Sequence, residues 1–79
     1  MRLLFKKEEK NMEKIKINTE FIKLDQFLKW TGIAENGVMA KDIILDGEVL
    51  VDGELEKRRG KKLYPGNIVL VFGKEYVVE

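Results

Sequence analysis

The chain has no cysteine and no histidine in its 79 residues. Disulfides and zinc knuckles are thereby excluded, as are the imidazole and thiolate ligands on which the common transition-metal sites depend. The same absence removes the side chains most used for acid–base and nucleophilic catalysis near neutral pH, leaving carboxylates as the acid–base candidates. A lack of cysteine also fits a reducing compartment. There is a single proline, Pro65, and no apolar run approaches the roughly 18 residues that span a bilayer. The opening MRLLFKKEEKN has neither a long apolar segment nor a small-residue cleavage site, so it does not read as a secretion signal. A soluble, cytoplasmic protein with no membrane partner is expected.

What the chain does have is charge. Fifteen Lys and Arg stand against 14 Asp and Glu, a formal net charge of +1. The first eleven residues hold four of the bases and two of the acids, which leaves residues 12–79 with 11 bases and 12 acids. Binding to nucleic acid would therefore have to come from local clustering. Such a cluster exists in Lys57-Arg58-Arg59-Gly60-Lys61-Lys62, where five of six residues are basic and Gly60 lets the backbone bend so that the side chains fan out over one surface. Just upstream, residues 42–56 carry six acids (Asp42, Asp46, Glu48, Asp52, Glu54, Glu56) and no base. The acids alternate or sit at turns, a pattern of solvated surface charge. A basic run is often only a solvated loop; its place beside a tight hairpin, opposite an acidic half, favours a row of phosphates. No Gly-rich phosphate loop ending in Lys-Ser/Thr is present. We read no enzyme, no cofactor and no metal site here.

Seventy-nine residues allow one domain. Residues 1–11 lack the periodicity of a structural element and read as a disordered tail or a translated leader, with the folded domain over residues 12–79. The purine-only codons of Lys7-Glu8-Glu9 can spell a ribosome-binding sequence ahead of Met12, which favours the leader; the rival is a basic arm that adds affinity for RNA. From Met12, Ile15 and Ile17 alternate with lysines as in a strand with one buried face, which Phe21 and Ile22 extend after a turn at Asn18-Thr19. Leu24, Phe27, Leu28 and Thr31 then predict a helix that Gly32 stops. Asn36 is a candidate N-cap for a second helix, with Met39, Ala40, Ile43 and Ile44 as its apolar stripe and Gly47 as its stop. Gly37 in its first turn is either a bare turn glycine or a place where a phosphate approaches the backbone. Val49 to Val51, Asp52-Gly53 and Glu54-Leu55 predict a hairpin. Tyr64-Pro65-Gly66-Asn67 predicts a type II turn, Ile68 to Phe72 a strand, Gly73-Lys74 a tight turn and Glu75 to Val78 a last strand. The whole is α+β: two short helices packed on a small, mostly antiparallel sheet.

Lys23-Leu24-Asp25 with Phe27-Leu28, Ala40 seven residues before Gly47, the hairpin Gly47-Glu48-Val49-Leu50-Val51-Asp52-Gly53 and the turn Pro65-Gly66-Asn67-Ile68-Val69 together resemble the RNA-binding domain named after ribosomal small-subunit protein S-four. That pattern opens its first helix with Arg-Leu-Asp, begins the second with Ser-Arg, and has Gly-x-Val-x-Val-Asn-Gly in the hairpin and Pro-Gly-Asp in the last turn. The resemblance covers about residues 23–70 and implies the alpha-L RNA-binding motif, gripping structured RNA with a helix surface and the adjoining loop. Carried over by position, Lys23 stands for the opening Arg and Lys41 for a basic position early in the second helix. Asn36-Gly37 replaces Ser-Arg, losing a basic contact, and Asp52 replaces the hairpin Asn, adding a negative charge. The chain looks most like the stand-alone, single-domain bacterial branch, which implies ribosomal RNA, a ribosomal subunit or its precursor as partner. The expected RNA-binding set is Lys23, Gln26, Asn36, Gly37, Lys41, Lys57, Arg58, Arg59, Lys61 and Lys62. Lys29 is a further candidate beside Gln26. Trp30 is expected at the core or its edge, with base stacking as the other reading, and Tyr64 is a stacking candidate. From another class, the competing function is a protein-interaction adaptor that uses the acidic hairpin.

Overall fold

The computed structural model describes residues 12–79, and the expectations for residues 1–11 lie outside that range. Its sheet includes the strand β3 (Val49–Val51), which the hairpin turn Asp52-Gly53 reverses into β4 (Glu54–Leu55). Both turn residues have positive φ, 52° and 86°, the two-residue type I′ geometry whose twist matches that of the flanking strands. On its other side β3 pairs antiparallel with β6 (Ile68–Val71), and β6 with β7 (Lys74–Val78). β1 (Glu13–Ile15) closes the far edge parallel to β7, giving the order β1-β7-β6-β3-β4. Period-2 alternation puts Val49, Val51, Val69, Val71, Tyr76 and Val78 on the inner face, all buried.

Two helices cover that face. In α1 (Leu24–Trp30), Leu24, Phe27 and Leu28 are wholly buried, and the Phe27 ring meets Tyr76 edge-on at 5.9 Å. Asn36 caps α2 (Gly37–Leu45): its side chain accepts from the Met39 N–H at 2.8 Å. Ala40, Ile43 and Ile44 are buried from α2. Gly47 stops it in a Schellman arrangement, its N–H donating to Ile44 O at 3.2 Å and that of Glu48 to Ile43 O at 3.4 Å, with φ of Gly47 at 80°. The α+β reading thus holds, with two helices on a mostly antiparallel sheet.

Four local expectations are corrected. Phe21 and Ile22 do not extend the first strand: Ile22 and Lys23 form β2 (Ile22–Lys23), a separate ladder with β5 (Lys62–Leu63), because the bend at residues 18–20 turns the chain away from β7. The last hairpin turns at Phe72-Gly73, not Gly73-Lys74; Phe72 at φ 53° leaves the strand and is exposed, while Lys74 pairs with Val71. A two-residue type I′ turn needs positive φ at both positions, so one glycine and its predecessor supply it. Met39 is 42% exposed, outside the buried stripe, and its sulfur accepts the Glu35 N–H at 3.5 Å. Trp30 is 67% exposed, because it ends α1 beyond the last inward position, Leu28.

Candidate nucleic-acid interface

The first turn of α1 has no side-chain cap, since Lys23 at its N-cap offers no acceptor. The basic loop supplies what is missing. Leu24 N–H donates to Lys61 O at 2.8 Å and Asp25 N–H to Arg59 O at 3.1 Å, so two orphan helix donors are satisfied by loop carbonyls. The loop is therefore bound to the start of α1 by its own backbone, and its side chains project from a fixed base. The β2–β5 ladder carries the chain on: Ile22 pairs with Leu63, and Lys23 stands directly opposite Lys62. Two ammonium side chains facing one another across antiparallel strands repel, a cost that a bound anion would remove.

The five bases do not act alike. Arg58, Lys61 and Lys62 line one open groove of about 420 Å³, together with Gly60 and Tyr64. Lys57 turns elsewhere; its Cε lies 3.8 Å from the place a Cβ on Gly47 would take. Arg59 is exposed and outside the groove lining. The surface of five fanned cations is thus narrowed to three lining a single groove.

Glu56 is the acid that organises the loop, and its reading as solvated charge is corrected. It is 8% exposed. Its Oε2 accepts from Arg58 N–H at 3.0 Å and Nε at 2.8 Å, and its Oε1 from Nη2 at 3.1 Å. These bonds, the side-chain pair foremost, pull the Glu56 carboxyl from its usual 4.5 down to about 2, while burial opposes them; the Arg58 guanidinium is pushed up in turn, chiefly by its bond to Glu56. Arg58 is nevertheless 73% exposed along its side chain. A guanidinium carries five N–H donors, so those not spent on Glu56 still face outward from an anchored group. Alternation along the strand carried no sign of this, because Glu56 and Arg58 lie beyond the end of β4.

At the groove wall, Tyr64 is held from three sides. Its N–H donates to Asn67 Oδ1 at 2.7 Å. Asn67 N–H donates to Tyr64 O at 2.9 Å, closing the type II turn with Gly66 at φ 102°. The Phe21 ring lies 5.8 Å from that of Tyr64 at a 50° tilt, and Lys62 Nζ sits 4.8 Å over Phe21. Phe21 was not among the expected site residues; its place beside Tyr64 and Lys62 follows from the β2–β5 ladder, which no local pattern announced.

On the helices, Lys23, Gln26, Lys29 and Lys41 are exposed. Lys23 is brought to the loop through Lys62, whereas Gln26 and Lys29 sit on α1 and Lys41 on α2, outside the groove lining. The Asn36 side-chain oxygen is engaged as a cap. Gly37 has ordinary φ, and a Cβ there would meet nothing within 4 Å, so neither backbone nor packing calls for glycine. Among the described residues no group of His, Cys, Asp or Glu could hold a metal ion, and no helix is long and apolar enough to cross a membrane.

A helix pair set on a small sheet, with a cationic loop bound to the start of the first helix, defines a protein of the alpha-L type. The S4 domain pattern matches residues 15–79, and the chain belongs to that family. It is 48% identical over 59 residues to the "Probable ribosome maturation protein RlbA" of Bacillus subtilis (strain 168), covering 75% of this chain and 83% of the relative. Among solved structures, it superposes on YbcJ of E. coli, described as having an "ALFAL motif involved in RNA-binding", with a TM-score of 0.70 and 29% identity over 99% of this chain and 98% of the other.

Proposed function

We propose that this protein is a non-catalytic RNA-binding module that grips structured ribosomal RNA, in the subunit or its precursor, and serves ribosome assembly. The observation that carries this is the basic loop tied by its backbone to the start of α1, which presents Arg58, Lys61 and Lys62 along one groove with Lys23 opposite Lys62. The relatives bear on it as well: one is named for ribosome maturation and the other is described as having a motif involved in RNA binding. Structured RNA is read largely through shape and backbone contacts, which suits a site rich in cations and poor in base-edge readers. Of the expected set, Arg58, Lys61 and Lys62 with Lys23 beside them form the phosphate-binding centre, with Arg59, Gln26, Asn36, Gly37 and Lys41 as its flank. Lys57 contributes least. The place of action is the cytoplasm, where bacterial ribosomes are built, and residues 12–79 are the binding unit.

The adaptor reading is weaker on a specific ground. Two of its six acids are spent within the chain, Glu56 on Arg58 and Asp52 on Asn67 and Ile68.

The test is a salt titration of binding to ribosomal RNA fragments. Each phosphate neutralised contributes about 0.7 to 0.9 to the log–log slope, so Lys23→Ala/Lys61→Ala/Lys62→Ala together should flatten it by about 2 to 3. An unchanged slope from a folded triple variant refutes the assignment. Ribonuclease should abolish the association with ribosomal particles, whereas an adaptor would remain attached.

A further inference from the structure

We propose that the groove beside Tyr64 takes one unpaired nucleotide of the RNA, its base stacked on the Tyr64 ring and its flanking phosphates on Lys61 and Lys62. The inference rests on the RNA-binding reading above and names what that site selects.

Phosphate binding alone has no use for the wall that this groove has. Three of its lining residues are cations, and the fourth side chain is an aromatic ring that stays 43% exposed. Phe21 supports that ring at a 50° tilt, so it props Tyr64 without stacking on it. The bonds between Tyr64 and Asn67 hold the backbone that carries the ring, and Phe21 backs the ring itself. Gly60 completes the lining. It has ordinary φ and open space where a Cβ would sit, so a side chain there would fit the fold but project from the groove wall.

The volume, about 420 Å³, falls within the roughly 300–1,000 Å³ typical of sites that hold small ligands, enough for one nucleotide. A regular duplex could lay phosphates along Lys61 and Lys62, but its bases are stacked inside and could not reach Tyr64. Only a nucleotide freed from pairing, in a bulge, loop or single-stranded end, can offer a ring face and its phosphates together.

Three fluorescently labelled RNA hairpins test this: one fully paired, one with a single bulged adenosine, and one with an abasic residue in that bulge. The native protein should bind the adenosine bulge about 5- to 150-fold more tightly than either of the others, the range that stacking of one base on an aromatic side chain supplies. Tyr64→Phe should keep this preference. Tyr64→Ala, checked for folding by thermal melting, should bind all three alike, while Lys61→Ala/Lys62→Ala should weaken all three in parallel. Equal binding of the three hairpins by the native protein, or a preference that survives in Tyr64→Ala, overturns the inference and leaves the RNA-binding reading standing if the lysine variant still weakens binding. Failure of the native protein to bind any of the three hairpins also overturns the inference, and the salt titration with ribosomal RNA fragments decides the RNA-binding reading separately.

Discussion

Asp52 and Asn67 clasp two turns together across 15 residues of sequence: Asn67 Nδ2 donates to Asp52 Oδ2 at 2.7 Å. Asp52 Oδ1 accepts from Ile68 N–H at 2.9 Å, and the Asp52 N–H donates to Ile68 O at 2.7 Å. The other end of the Asn67 amide holds Tyr64. The acid that departs from the hairpin asparagine of the family pattern is thus a structural acceptor, and it links the β3–β4 turn to the Tyr64 wall of the groove.

Removing that acceptor should cost stability. Asp52→Ala loses two hydrogen bonds and places alanine at φ 52°, for a combined loss of about 2 kcal/mol. Asp52→Asn keeps an acceptor for Ile68 and tolerates positive φ, but sets one amide NH₂ against another, and should lose about 1 kcal/mol. Urea denaturation of the two variants beside the parent gives the order.

Acid should act through Glu56. Its pKa is depressed on folding, from 4.5 to about 2, so the stability it contributes is fully present above about 4.5 and is lost as pH falls from there through about 2. Glu56→Gln cannot change charge in that window. Thermal melting between pH 5 and pH 2 should therefore show a shallower fall for Glu56→Gln than for the parent, with a lower melting point at neutral pH; parallel curves would contradict the pairing with Arg58.

The facing lysines should give opposite signs for folding and binding. Lys23→Gln relieves the repulsion with Lys62 and should raise stability by about 0.2–1 kcal/mol at low salt, a gain that fades near 1 M salt. The same change should weaken RNA binding and flatten the salt slope by about 0.7–0.9. Calorimetry at two salt concentrations and a binding titration read the two effects separately.

Gly37 offers a second such divergence. Alanine fits its φ and its open surroundings, so Gly37→Ala should stabilise α2 by about 0.4–1 kcal/mol. If a phosphate approaches the backbone there, the added methyl should reduce RNA affinity severalfold. A stabilised variant with unaltered affinity removes Gly37 from the interface.

The candidate site was only partly legible in the chain. The density of bases at residues 57–62 marked the loop, and Lys23-Leu24-Asp25 with the Gly-rich hairpin marked the family. Runs of charge say that cations are near one another; they do not say which way each points. Lys57 lies back toward Gly47, and Arg58 is anchored by an acid two residues before it. Phe21 came beside Tyr64 through strand pairing with a segment about forty residues on, and Trp30 stays outside the core because the last inward position of α1 is Leu28.

The sequence by itself determined the elements and their stops. Apolar spacing set both helices, Asn36 and Gly47 bounded the second, and Asp52-Gly53 and Pro65-Gly66 placed two turns, because these signals act through local sterics and hydrogen bonds between near neighbours. Only the tertiary structure decided how the loop is used. The carbonyls of Arg59 and Lys61 capping α1, the register that sets Lys23 against Lys62, and the burial of Glu56 all join groups whose partners are chosen by packing around Leu24, Phe27 and Leu63. Hydrophobic burial carries no directional code, so which polar groups it brings within bonding distance emerges only when the chain has closed.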